Sequence, residues 1–422
     1  MDRPKRLPFH NLTAENWLNL AAVGVLAFYT IYFVFELVLG RLCGQVGVDY
    51  CAYWSAGRVA TAYGHQSVYD TQVLYQVERS ILPAQADPAT NGKILVPYLP
   101  LFILPFQFLA LIPPLPGFVA WISINLALFL LYMRNFTRRG NLRALPLPTM
   151  LMILASPPVF ENLWSGQLSV WLMLCAGEFL RALVDRKPLR AGLWLGGFML
   201  KPQLLVLVVP ILLLHRSFRV LAGLAICSLL VGLSSLALVG PEGLHRMLAM
   251  WWQAYAAGQA NSSIEGMMNF RMLGFHMAAV LTPWIAWGLA ATGMLAVAAL
   301  AMQRWRRPFD PAQTAVGAAM LGILAATTMT AWHSHIHMAV VLLPSMMLLY
   351  QAGALPVRAF HCWVLAPAVL FILTVFLPPA LARLPLVSDP RAPVVYLPMA
   401  AAQLIATLHL FRWSLRYPTR RT

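Results

Sequence analysis

Only 14 of the 422 residues are Asp or Glu, so each acid needs a reason. Asp49 lies in the segment 47–57, GVDYCAYWSAG, just past the first long apolar run and among Tyr50, Tyr53 and Trp54. A carboxylate at an apolar–polar boundary has its pKa raised and can accept a proton from a hydroxyl, which makes Asp49 a candidate general base. Asp is also favoured as a helix N-cap, and the position suits that use as well. Asp70, after Tyr69, closes the same unit. It reads as the cap of the next helix, with a substrate contact as its other use.

Lys201 stands between two short apolar runs, followed by Pro202 and Gln203. A lysine at the centre of a membrane span costs about 2.5–3.5 kcal/mol, so Lys201 belongs at an edge or in a wet cavity. A fixed cation at a break between helices suits a phosphate, while a snorkelling interface lysine is the plain alternative. Arg271 is a second phosphate candidate. His333, His335 and His337 alternate along a short run. Zinc would need ligands of matching spacing nearby, which are missing. Hydrogen bonds to a phosphate or sugar, or an ordinary polar interface, fit the run better. Gly166-Gln167 either contacts substrate or turns the chain. No P-loop, dinucleotide fingerprint or nucleophile elbow is present, so nucleotide binding has no support and no cofactor is expected.

The elements that must position these groups are membrane helices. Hydrophobic residues make up 60% of the chain and charged ones 10%, against about 25% charged in soluble domains. Runs of about 18–22 apolar residues match about 30 Å of hydrocarbon. The formal charge of +16 falls in short clusters between these runs, which reads as topology and not as a nucleic-acid surface. The five cysteines contain no C-x-x-C pair. Cys43 and Cys51 both fall on the predicted outer side, where they can form a disulfide.

The pattern predicts an all-α polytopic bundle of about 12 transmembrane helices. Residues 1–16 form a basic cytoplasmic segment, 17–411 the membrane domain, and 412–422 a basic cytoplasmic tail. The spans are expected at 17–40, 116–133, 146–160, 168–184, 190–200, 203–214, 220–239, 277–301, 312–331, 338–352, 359–379 and 394–411. The first span is too long for a signal peptide and reads as retained. The first outer loop, 41–115, is long enough to be functional and carries interfacial helices. Residues 98–112, broken by Pro100 and Pro105, read as one of these, because a full crossing there would place Arg134, Arg138, Arg139 and Arg143 outside. The outer face then gathers Asp49, Asp70, Glu161 and the three histidines, and chemistry is expected there.

At these residues the chain resembles glycosyltransferase family 87 of the GT-C membrane superfamily. The resemblance rests on Val48-Asp49-Tyr50 with Ala56-Gly57, Gly64 and Tyr69-Asp70, on Tyr98 to Phe102, on Gly166-Gln167, on Ala191-Gly192 with Lys201-Pro202-Gln203, and on the histidine run, spread over about 50–340. It implies a polyprenyl-phosphate-sugar donor, often mannose, and a lipid or glycan acceptor, used at the periplasmic face of a bacterial inner membrane with both termini cytoplasmic. It implies Asp49 as base and Lys201 as a donor-phosphate contact. Tyr50, Gln167, Gln203, Arg271, the histidines and Asp70 are the further candidate substrate contacts. Family members often continue the histidine run with a Tyr-Asp pair, where this chain has His337-Met338, so any role of that acid is lost. The rival readings are a lipid or sugar transporter without chemistry and a non-catalytic envelope-assembly subunit.

Overall fold

The structure is a computed structural model that describes residues 14–82, 95–139, 146–256, 264–278, 280–307, 312–376 and 396–418. The outermost residues of the two end segments expected to be cytoplasmic (1–13 and 419–422), Arg143, and parts of the last two expected spans lie outside the described residues. Within them the chain is helical, with two isolated bridges and no strand.

In chain order the helices are α1 Ala14–Val38, α2 Val48–Tyr63, α3 Thr71–Ser80, α4 Pro100–Leu109, α5 Pro114–Arg139, α6 Leu147–Leu154, α7 Pro157–Ser165 and α8 Ser169–Val184. Then follow α9 Pro188–Leu195, α10 Val208–Leu214, α11 Phe218–Trp251, α12 Phe270–Met277, α13 Pro283–Arg304, α14 Gln313–Thr330, α15 Leu343–Gln351, α16 Val357–Phe376 and α17 Tyr396–Arg416. Among the described residues, five helical segments are long and apolar enough to cross a membrane: Asn16–Val38, Pro114–Arg138, Phe218–Ala254, Pro283–Arg304 and Gln313–Thr330. A backbone in hydrocarbon must satisfy its own polar groups, and an unbroken helix does so.

Several expected spans are instead broken by their own sequence. The stretch 146–160 becomes α6 and then α7, divided at Ala155-Ser156 ahead of Pro157-Pro158. A proline at the start of a helix costs nothing there but cannot continue a preceding one. The stretch 190–214 becomes α9, two 3₁₀ turns at Gly196–Leu200 and Pro202–Leu205, and α10. The span expected at 220–239 runs on as α11, bent where Gly240 adopts φ 68° before Pro241. The part of α11 beyond the bend packs on the turn at His65–Tyr69, so a piece of the expected outer loop is helical.

α14 is the centre of the bundle: 89% of its apolar window is buried, against 17% for α11. Its Ala, Gly and Thr residues let neighbours approach closely. A β-carbon on Gly322 would lie 2.1 Å from the Trp305 ring and 2.3 Å from Ser414 Oγ.

The first loop lies against this bundle. A Cys43–Cys51 disulfide, Cα–Cα 5.5 Å, ties the start of α2 to the turn after α1. α2 packs on α4 so closely that a β-carbon on Gly57 would sit 2.3 Å from the Phe106 carbonyl oxygen. The Trp54 indole N–H donates to the Leu109 and Ile112 carbonyls and fixes the same contact.

Candidate active site

Asp49 occupies the first turn of α2, but the N-cap is Gly47, in the left-handed region at φ 64°. The capping use of Asp49 is therefore not the one adopted. Its carboxylate is half-buried and sits at the positive end of a helix. Asp70 does cap: its carboxylate accepts from the backbone N–H of Gln72 and Val73, and Arg246 lies 3.9 Å away. Asp70 is thus engaged as a cap, and none of the other candidates is among its partners. Tyr50 is fully buried against Phe106 and Phe118, with its hydroxyl aimed at Gly117, and serves as packing behind α2.

Gln167 is the hub. The chain reaches it through Gly166, whose φ of 71° ends α7 and whose β-carbon would strike Tyr50 Cβ at 2.5 Å. Trp121 Nε1 donates to the Gly166 carbonyl at 2.8 Å, and the Gly47 N–H donates to the Trp164 carbonyl at 2.8 Å. These bonds lock the Asp49 turn to the end of α7. Gln167 Oε1 then accepts from Lys201 Nζ at 3.1 Å and from the Tyr53 hydroxyl at 3.1 Å. The Gln167 side chain also faces the Asp49 carboxylate and favours its ionised form. One buried amide therefore joins the candidate base to the candidate phosphate ligand. Tyr53 in turn meets the Tyr98 hydroxyl at 3.0 Å.

Lys201 stands between the two 3₁₀ turns and is 5% exposed. Burial lowers its ammonium to about 8, with the Asp49 charge working the other way. Burial raises the Asp49 carboxyl above the usual carboxylate range, opposed first by Lys201 and then by the Gln167 amide. Two oppositely charged groups in one water-poor site thus hold each other in their charged forms.

The histidine run forms a third wall. Gln203 Nε2 donates to the His333 carbonyl at 3.2 Å, Met267 pairs with His335 in an antiparallel bridge, and the Met268 N–H donates to Ser334 O at 2.9 Å. The rings follow one another, His333 to His335 at 4.8 Å and His335 to His337, stacked, at 5.8 Å. His337 Nδ1 meets Ser169 Oγ at 2.7 Å. Burial first, with the nearby cations Lys201 and Arg271 adding to it, lowers His335 to about 3 and lowers His333 as well. Both rings are neutral at pH 7, each with one N–H to donate. Arg271 lies over the Trp332 ring at 4.5 Å and donates to its carbonyl at 3.4 Å. Among the described residues, no group of three His, Cys, Asp or Glu side chains is arranged to hold a metal ion.

Two participants were not singled out from the sequence. Tyr53 follows Asp49 by four residues, the spacing that puts two side chains on one helix face. Glu161 is buried in α7, and its Oε1 has no hydrogen-bond partner among the described residues. Burial, then the Asp49 charge, pushes its carboxyl up to about 8. Its signal in the sequence was an acid in an otherwise apolar exit, five residues before Gly166.

The arrangement offers a half-open carboxylate, an ammonium tied to it through one amide, and neutral imidazole donors beside a guanidinium. It can take a proton from a hydroxyl and hold an anion a short way off. A family model, Glycosyltransferase family 87, matches residues 97–330, more than half of the 422-residue chain. The match takes in Glu161, Gln167, Lys201, Gln203 and Arg271, and begins after Asp49. No curated protein and no solved structure matches the chain.

Proposed function

This chain belongs to glycosyltransferase family 87, and we propose that it moves a hexose, with mannose the first candidate, from a polyprenyl-phosphate-sugar to a lipid or glycan hydroxyl at the periplasmic face of a bacterial inner membrane. It is a membrane protein and a glycosyltransferase by its family and its apolar helices. The donor, the acceptor, the side of the membrane and the mechanism are our reading.

The observation that carries the reading is the single amide, Gln167, that joins Lys201 to Asp49. An inverting transfer needs a base and an anion site a sugar's width apart. Asp49 removes the proton from the acceptor hydroxyl as its oxygen attacks the anomeric carbon. The bond from that carbon to the phosphate oxygen breaks on the opposite side. The polyprenyl phosphate leaves as an anion and needs charge stabilisation more than a proton. Lys201, Arg271 and the neutral His335 supply it. The proton on Asp49 is lost to water through its half-open side. No nucleotide is required, because the leaving group is already an anion.

The test uses the purified chain in lipid nanodiscs with a polyprenyl-phosphate-[³H]mannose. Transfer to an added glycoside is expected for the wild type, and its loss in Asp49→Asn and in Lys201→Ala. Near wild-type turnover in both variants would reject these roles.

A further inference from the structure

On α1 and α7, beside the Asp49 turn, three buried side-chain polar atoms have no hydrogen-bond partner among the described residues: Glu161 Oε1, the Tyr29 hydroxyl and Asn162 Nδ2. Glu161 is 9% exposed and Tyr29 4%. An unmet buried polar group costs about 1–3 kcal/mol, and native proteins rarely keep such groups without a use. Tyr29 and Glu161 are neighbours. The Tyr29 ring stacks on Phe160 at 3.9 Å, one turn on Tyr32 stacks on Trp164 at 4.9 Å, and the Glu161 charge acts on both tyrosines.

Their position relative to the charges is informative. Asp49 is the charged group that acts on Lys201 and also the one that acts on Glu161. Asp49 thus lies near both, and the bond from the Gly47 N–H to the Trp164 carbonyl ties its turn to α7, the helix that carries Glu161. In an in-line displacement the leaving phosphate and the incoming hydroxyl lie on opposite sides of the anomeric carbon. The base must touch the incoming hydroxyl, so a buried acid on the helix tied to the Asp49 turn is within reach of the acceptor.

We propose that Glu161 and Tyr29 form a subsite for the acceptor, in which they hydrogen-bond a hydroxyl next to the attacking one and so require a hydroxyl-rich acceptor, a sugar or polyol. This rests on the transferase reading above. The chemistry of the pair selects that class. Two anions cannot both persist in one water-poor pocket, so Glu161 stays a carboxylic acid while Asp49 is ionised. A carboxylic acid and a phenol each donate and accept, which matches a hydroxyl and offers nothing to an anion or a hydrocarbon.

The test measures acceptor and donor KM separately, in nanodiscs, with octyl α-mannoside as probe acceptor and polyprenyl-phosphate-[³H]mannose as donor. In Glu161→Leu the acceptor KM is expected to rise at least tenfold with the donor KM within twofold of wild type. In Glu161→Gln, which keeps a donor and an acceptor, the acceptor KM should stay within about threefold. In Tyr29→Phe it should rise a few-fold, a second readout should Glu161→Leu fail to fold. A rise in donor KM instead, or an unchanged acceptor KM in both Glu161→Leu and Tyr29→Phe, overturns the proposal. A photoreactive diazirine analogue of octyl mannoside provides an arm that needs no turnover. Labelling of α1 or α7 peptides, competed by octyl mannoside and not by octyl phosphate, supports the subsite even if that donor proves inert and the transferase reading fails. Labelling confined to other helices overturns the subsite.

Discussion

α8 has a buried polar cluster at each end, and the two are built in opposite ways. At its start Ser169 holds His337 beside Gln167 and the Asp49 site. Nine residues on, about 14 Å along the axis, Glu178 is 6% exposed and surrounded by donors: Arg181, Arg190 at 3.3 Å and the Tyr132 hydroxyl at 3.4 Å. One acid there has two guanidinium partners from α8 and α9. At the other end Asp49 lies near the single ammonium of Lys201 and near a second acid, Glu161, one of whose carboxyl oxygens has no partner among the described residues. A buried acid that is fully paired fastens helices together. A buried acid kept short of partners is available to a substrate.

The largest expected contrast is between the two acids themselves. Asp49→Asn should cut transfer by about 10²–10⁴-fold, the usual worth of a general base, with thermal stability close to wild type. Glu178→Gln should leave turnover per folded molecule within about twofold. Arg181→Ala should instead destabilise the fold by about 3–5 kcal/mol, since it strands a buried carboxylate. Unfolding followed in detergent would check this. Turnover loss at Glu178 without destabilisation would break the comparison.

Gln167→Leu tests the hub. It removes a hydrogen bond to a charged lysine, worth about 1.5–3 kcal/mol, and the amide that faces the Asp49 carboxylate, so transfer should drop by about 10–100-fold. Donor binding should weaken as well, because Lys201 loses its anchor.

The pH profile sharpens the division of labour. Lys201 is lowered to about 8 and is cationic below that value. Glu161 is raised to about 8 and is neutral below it. Both groups leave their working state as pH rises through about 8, so transfer should fall on the alkaline side. The acid limb belongs to Asp49, whose carboxyl is raised and must be ionised to act. Glu161→Gln should move the alkaline limb only by the share that Glu161 holds, which a full pH–rate curve of the variant would read out. The smallest effect is expected at Asp70→Ala, a lost cap of about 1 kcal/mol with transfer unchanged; a large loss of activity there would return Asp70 to the site.

Much of the site was legible from residue types. Scarce acids, a lysine between helices and a histidine run in an apolar chain stood out because lipid makes polar groups expensive, so those retained have uses. The same logic located Asp49, Lys201, Gln167, Arg271 and the histidines, which the fold does gather. It read Asp70 as a helix cap, as the structure has it, while keeping a substrate contact as its other use; it could not place Tyr50, whose buried ring depends on which face of α2 meets α5. Glu161 was passed over as one more outer acid, since nothing in a one-dimensional pattern tells how deeply a side chain is enclosed. Nor could run lengths show that 190–214 would break into 3₁₀ turns around Lys201.

The sequence by itself determined the solvent of this protein, its helical class and its family likeness, because composition and apolar run length act on every residue wherever it packs. The tertiary structure alone decided that positions 49 and 201 meet at the amide of position 167 and that position 161 is enclosed near Asp49. Those relations depend on how α2, α7 and the turns around Lys201 are brought together. Contacts between residues more than a hundred positions apart are set by packing and not by local pattern.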